Sequence, residues 1–185
     1  MPSVRGPQRA AVITTMIASG IASAALVGFA VGVIGQLVPT PSVAVLAMGV
    51  MVAVALDFAG TKVSWLRAPS IGKQVPIEWG RMFTPSVVAF LYGARLGVGP
   101  LTILSTWLWW AATFGAAATS VGVSVIVGVV FGAVRLSSTA LASLQAERVG
   151  HTTWFIKLRT LKSRAWVALD ATAAALSVLV LANSV

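Results

Sequence analysis

The stretch AAVITTMIASGIASAALVGFAVGVIG, Ala10 to Gly35, carries no charged residue and is long enough to cross a bilayer as one helix. A hydrocarbon core of about 30 Å needs roughly 20 apolar residues in helical form. Arg5 and Arg9 precede the run, and Ala22-Ser23-Ala24 imitates the cleavage site of a secreted precursor. A signal core is only about 7–15 residues long. Apolar sequence here continues well past Ala24, so the stretch reads as an uncleaved first membrane helix.

The remainder of the chain has the same character. It is 58% hydrophobic and 9% charged over 185 residues, against about 25% charged for a soluble domain. Spans of this length with short connections leave no room for a soluble catalytic domain. The expected fold is therefore all-α: one integral membrane domain over residues 1–185, a polytopic transmembrane helical bundle.

Working outward from Gly35, Pro39 and Pro41 break the helix and suit a turn. A second apolar run covers Val43 to Gly60. The polar stretch from Thr61 to Phe83 holds Lys62, Arg67, Lys73, Glu78 and Arg81. Thr84-Pro85 starts a third helix, with proline in the favoured first turn, and Gly97-Val98-Gly99-Pro100 ends it. Leu101 to Val134 is uncharged and too long for one ordinary span; the Ala/Ser/Thr-rich region from Gly115 to Gly122 divides it into a fourth and a fifth helix. Ser143 to Arg164 is polar again, and Ala165 to Ala182 supplies the last run. About six spans result.

Charge tests that count. The net charge is +9, and the basic residues gather at the N-terminus and in the two polar stretches. This is how cytoplasmic loops orient a membrane protein, and it argues against nucleic acid as the partner. Six full spans put Arg148, Lys157, Arg159, Lys162 and Arg164 on the side opposite Arg5, Arg9 and the first polar stretch. Five crossings, with a re-entrant third helix or a long broken segment between Leu101 and Arg135, would place all three basic regions together.

Small residues recur four apart: Ala24, Gly28 and Gly32 in the first helix, Gly93 and Gly97 in the third, Ser124, Gly128 and Gly132 in the fifth. They let helix backbones approach closely in lipid, either inside the bundle or on a face that docks another subunit. Val27-Gly28-Phe29-Ala30-Val31-Gly32 also echoes Val127-Gly128-Val129-Val130-Phe131-Gly132. Coincidence in so Ala/Val/Gly-rich a chain is the simpler account, although transporters carry weak internal repeats.

Ionisable groups at membrane depth are costly and face protein or water. Asp57 and Arg95 lie within or near the ends of spans, where a mutual contact would lower that cost and line a polar path; alternatively both sit at the interface, Arg95 snorkelling to headgroups. Asp170, one turn into the last run, is a third candidate or a favourable N-terminal charge. Trp65, Trp79, Trp107 and Trp110 suit an aromatic belt at the lipid interface. Trp154 with Lys157, Arg159, Lys162 and Arg164 suits a helix lying on anionic headgroups.

No catalytic set emerges. The four acids are scattered, His151 is the only histidine, and there is no cysteine. Neither thiol chemistry nor a His-based metal cluster is available, and no cofactor is expected. The chain is not expected to be an enzyme.

Pro76-Ile77-Glu78-Trp79, Pro85, and Tyr92-Gly93-Ala94-Arg95-Leu96-Gly97-Val98-Gly99-Pro100-Leu101-Thr102 resemble CcdA/DsbD-like bacterial membrane proteins. The similarity involves roughly a third of the chain, mostly glycine and proline. Members of that family pass reducing equivalents through paired intramembrane cysteines, which this chain lacks. The resemblance implies a related helical scaffold without the redox activity.

Two functions stay open: a small transporter or permease-like component of a bacterial cytoplasmic membrane, and a non-catalytic accessory subunit of a larger complex. Expected partners are the bilayer with its anionic headgroups, and further copies or subunits.

Overall fold

The computed structural model describes residues 6–69, 78–99 and 106–149. Every regular element among them is helical: α1 (Gly6–Gly35), α2 (Val43–Lys62), the short α3 (Trp79–Met82), α4 (Pro85–Gly97), α5 (Leu108–Ala117) and α6 (Val121–Val149), with one 3-10 turn at Ser64–Leu66. Three segments are long and apolar enough to cross a membrane: Gln8–Gly35, Val43–Gly60 and Val121–Leu144.

Local chemistry sets the boundaries. The Ser42 hydroxyl accepts from the Val45 N–H at 3.4 Å and caps α2, while Ser120 does the same for Val123 at 3.2 Å at the start of α6. Pro85 opens α4 at a position where no backbone N–H is needed. Gly99 has φ +74, a left-handed conformation that a side chain would strain, and its N–H bonds back to Leu96 O at 3.3 Å to close α4.

α1 is the central helix; it packs on α4, α5 and α6, while α2 packs on α5 and the 3-10 turn. Contact registers give the directions. A Cβ on Gly93 would collide with Met16 and one on Gly97 with Gly20, so α4 runs parallel to α1. Gly28 meets Ser124, and Gly132 meets Ile21 and Ala24, so α6 runs antiparallel to α1. Asp57 meets Trp107 and Leu46 meets Gly115, so α2 and α5 are antiparallel.

The interior is made mostly of small side chains, with Val54, Leu96 and the fully buried Leu136 among them. Ala24, Ala47, Ala53, Ala89, Ala116, Ala117 and Ala140 are buried, whereas Leu26, Phe29, Val52, Phe90, Phe114, Ile126 and Val134 are exposed on the outer faces. Water would drive the large groups inward. In lipid the large groups can face the hydrocarbon, and close packing of small residues holds the helices together.

The first, second and fifth helices expected from sequence appear as α1, α2 and α6. α6 is longer than expected: it runs on through Ser143 to Val149, because Gln145, Ala146, Glu147 and Arg148 are good helix formers although they break the apolar pattern. The expected third and fourth helices are half-length elements of 13 and 10 residues, about 20 and 15 Å long. Neither spans a bilayer alone. The expected last helix, Ala165 to Ala182, lies outside the described residues.

Candidate functional site at a helix break

α4 and α5 both point the same way as α1. Gly97, at the end of α4, lies beside Gly20 near the middle of α1. At the far end of α5, Ala117 lies beside Gly35 and accepts from the Gln36 side chain at 3.5 Å. The two half-helices thus occupy successive levels along α1, with a break between them. Gly99 touches the Trp109 ring, where an added Cβ would sit 2.8 Å from Cζ2.

A helix that starts inside a bundle leaves N–H groups unsatisfied, and lipid offers no water to satisfy them. Asp57 of α2 answers part of this need. Its Oδ1 accepts from the Trp107 N–H at 2.7 Å, and its Oδ2 accepts from the Thr106 hydroxyl. The Thr106 oxygen in turn accepts from the Leu108 N–H at 3.0 Å. A carboxylate at a helix N-terminus also interacts favourably with the macrodipole. Trp107 adds a second tie, its Nε1 donating to Leu66 O at 2.7 Å. Asp57 and the 3-10 turn after α2 therefore hold the first residues of α5.

This differs from the contact considered from sequence. Both oxygens of Asp57 are engaged by Thr106 and Trp107 rather than by Arg95. Arg95 lies half-buried in the last turn of α4, one residue from each of Ala94 and Leu96 and close to the break. The Ala94 carbonyl accepts from the Ser23 hydroxyl of α1 at 2.8 Å.

Beside the break is a narrow crevice bordered by Val27, Gly28, Gly97, Trp109, Thr113 and Phe131. Its wall is aromatic. Trp109 packs edge-on against Trp110 at 4.8 Å and against Phe131 at 5.6 Å, and Trp110 stacks on Phe114 at 5.7 Å. The Arg135 guanidinium lies over Phe131 at 5.4 Å, a cation–π contact favoured away from water. Arg135 is a site residue that sequence reading passed over; its signal was available, since it is a lone charge inside the long span of α6. Trp107 precedes α5, which begins at Leu108. Trp107 serves the hydrogen bonds of the break, and Trp110 lies against Phe114 with its Nε1 buried and without a hydrogen-bond partner among the described residues.

The small-residue positions sit at the closest helix approaches. A Cβ on Gly28, Gly93, Gly97 or Gly128 would collide with backbone of the facing helix. One on Gly32 would come within 2.9 Å of Ser124 Cβ and Val121 Cα, and one on Gly132 within 2.9 Å of Ala24 Cβ. The echoing segments around Gly28 and Gly128 thus face one another across the α1–α6 contact. Trp65 is 81% exposed on the 3-10 turn, and Trp79 opens the short α3. Asp170, Trp154, Lys157, Arg159, Lys162 and Arg164 lie outside the described residues. No group of three or more His, Cys, Asp or Glu side chains suited to a metal occurs among the described residues.

No protein-family model, no curated protein and no solved structure matches the chain.

Proposed function

We propose that this chain is a small multi-pass, permease-like component of a bacterial cytoplasmic membrane, with its polar path at the break between α4 and α5. The observation that carries the reading is the Asp57 carboxylate set against the N-terminus of a half-helix inside the bundle. Discontinuous helices place backbone polar groups at membrane depth only where protein or a water-filled cavity receives them, and transporters build solute and ion sites from them. Arg95 at the end of α4 and Arg135 over Phe131 supply further charge near the same level.

In this reading α1, α2 and α6 each cross the membrane, while α4 and α5 cross it jointly, with the break toward the leaflet that the base of α2 reaches, since Asp57 lies one turn from the end of that span at Gly60. With the apolar run at 165–182 counted from sequence, that makes five crossings. The N-terminus, the segment between α2 and α4, and the end of α6 then share one face, and the positive-inside tendency makes it cytoplasmic. The small-residue faces that suggested docking of an accessory subunit are taken up between α1, α4 and α6, so the permease-like reading is preferred.

The test is ion flux. Proteoliposomes holding a pH-sensitive dye should dissipate imposed proton and alkali-cation gradients faster than protein-free vesicles. Asp57→Asn and Arg95→Gln should each slow that dissipation. If both variants match the wild-type rate, or if the wild type matches empty vesicles, there is no polar path at the break.

A further inference from the structure

At the base of α2 the chain turns back on itself. The span ends at Gly60, and a Cβ there would lie 3.2 Å from Leu66 O and 3.4 Å from Arg67 Cα. The 3-10 turn is therefore folded against the last turn of the span instead of extending away from it. Lys62, Trp65 and Arg67 are all exposed there. No acid lies between Asp57, which is engaged inside the bundle, and Glu78 on the far side of the polar stretch. Two cations around an exposed indole, level with the end of an apolar span, are the chemistry of an anionic leaflet surface: the indole sits among headgroups and the cations meet phosphate. The turn is also held from within, since Leu66 O accepts from Trp107 Nε1 at 2.7 Å.

We propose that Lys62, Trp65 and Arg67 form a binding site for anionic phospholipid headgroups, coupled through the Leu66 carbonyl to the start of α5. Lipid charge then acts on the helix break: headgroups fix the turn, the turn fixes Trp107, and the Trp107 N–H is the group that Asp57 caps. The inference rests on the bilayer placement of α2 and not on the polar path, so lipid contact and ion flux stand or fall by separate readouts.

The experiment uses the full chain in phosphatidylcholine vesicles containing either brominated phosphatidylglycerol or brominated phosphatidylcholine at the same bromine content. Fluorescence of each protein minus that of its own Trp65→Phe counterpart isolates Trp65 among the seven tryptophans. Phosphatidylglycerol should quench Trp65 more strongly than phosphatidylcholine does. Each basic group at an anionic surface is worth roughly fivefold in local lipid enrichment, so Lys62→Gln/Arg67→Gln, two exposed changes that leave the bundle intact, should abolish the preference. Trp107→Phe should weaken it by releasing the turn, and Gly60→Ala should do so from the opposite side by displacing the Leu66 carbonyl. Equal quenching by the two lipids, or a preference that survives the double charge removal, overturns the headgroup site. A preference undiminished in both Trp107→Phe and Gly60→Ala overturns the coupling.

Discussion

The α1 contacts with α4 and α6 and the α2 contact with α5 solve one problem in two ways. Along α1 the helices meet backbone to backbone, with Gly28, Gly93, Gly97 and Gly128 at the closest points. Between α2 and α5 they are joined by the polar groups of Asp57, Thr106, Trp107 and Leu66. The difference follows from helix continuity. α1 and α6 satisfy their own backbones over their whole length, so lipid leaves close packing as the main force available to join them. α5 begins inside the bundle, and its first N–H groups need partners from elsewhere. Glycine is thus the joining residue where helices are whole, and a carboxylate is the joining residue where one is broken.

The strongest way to break the comparison is to fill a backbone contact. Gly97→Leu places a side chain where Gly20 and Ser23 already stand, and neither helix can yield without losing the contacts on either side. Overpacking of this kind costs about 3 kcal/mol or more. The loss should appear in detergent as a large fall in the SDS fraction that unfolds the protein, followed by circular dichroism. A tolerated Gly97→Leu would show that α4 does not rest on α1.

Next in size is the polar joint. Asp57→Ala removes the acceptor for the Trp107 N–H and the Thr106 hydroxyl, leaving two part-buried donors without it at a cost of about 2 kcal/mol. Asp57→Asn keeps a carbonyl for one of them and should cost roughly half as much. The same unfolding measurement ranks the two, and equal stability of Asp57→Ala and wild type would deny the carboxylate its part in starting α5. Trp107→Phe tests the outer tie. It keeps an aromatic ring but removes the indole N–H, and with it the bond to Leu66 O, together with part of the ring's packing, for an expected loss of about 1 kcal/mol or more, with faster amide exchange at the start of α5 as the local sign.

The two regions were unequally legible in the sequence. An uncharged run and i,i+4 glycines mark α1 clearly, and the same glycine spacing marks α6 although its start stays open in the sequence, because lipid imposes length and close approach imposes small side chains. Asp57 stood out for the same reason, as a charge where charge is costly. Its partners did not. A carboxylate in an apolar run implies a donor somewhere, and sequence offers an arginine more readily than a backbone N–H about 50 positions away. The half-helices were hidden because Gly97-Val98-Gly99-Pro100 reads equally as the end of a short span and as a break within a crossing. The register against α1, with Gly97 beside Gly20 and Ala117 beside Gly35, sets the two short helices at successive levels and favours the second reading. The Ser143–Val149 end of α6 escaped because a helix leaving the bilayer loses its apolar pattern before it loses its helical geometry.

The smallest effect sharpens the comparison most, because it separates packing glycines from incidental ones. Gly49 lies in the middle of α2, and a Cβ there would have no neighbour within 4 Å among the described residues. Gly32 lies on α1, where the same methyl would come within 2.9 Å of two atoms of α6. Alanine is the better helix former by about 1 kcal/mol in water, and that advantage applies to both positions. Gly49→Ala should therefore be neutral or stabilising by at most about 1 kcal/mol, since nothing opposes it. Gly32→Ala must set the same gain against a contact that has to open by several tenths of an ångström along a helix pair that is tight at Gly28, Gly128 and Gly132 as well, and the net effect should be destabilising. Opposite signs for one chemical change, read in the same SDS titration, would tie the glycines of α1 to the approach of α6. Like signs would mean that the α1–α6 contact can slacken without loss, and backbone proximity would then no longer account for how the unbroken helices are joined.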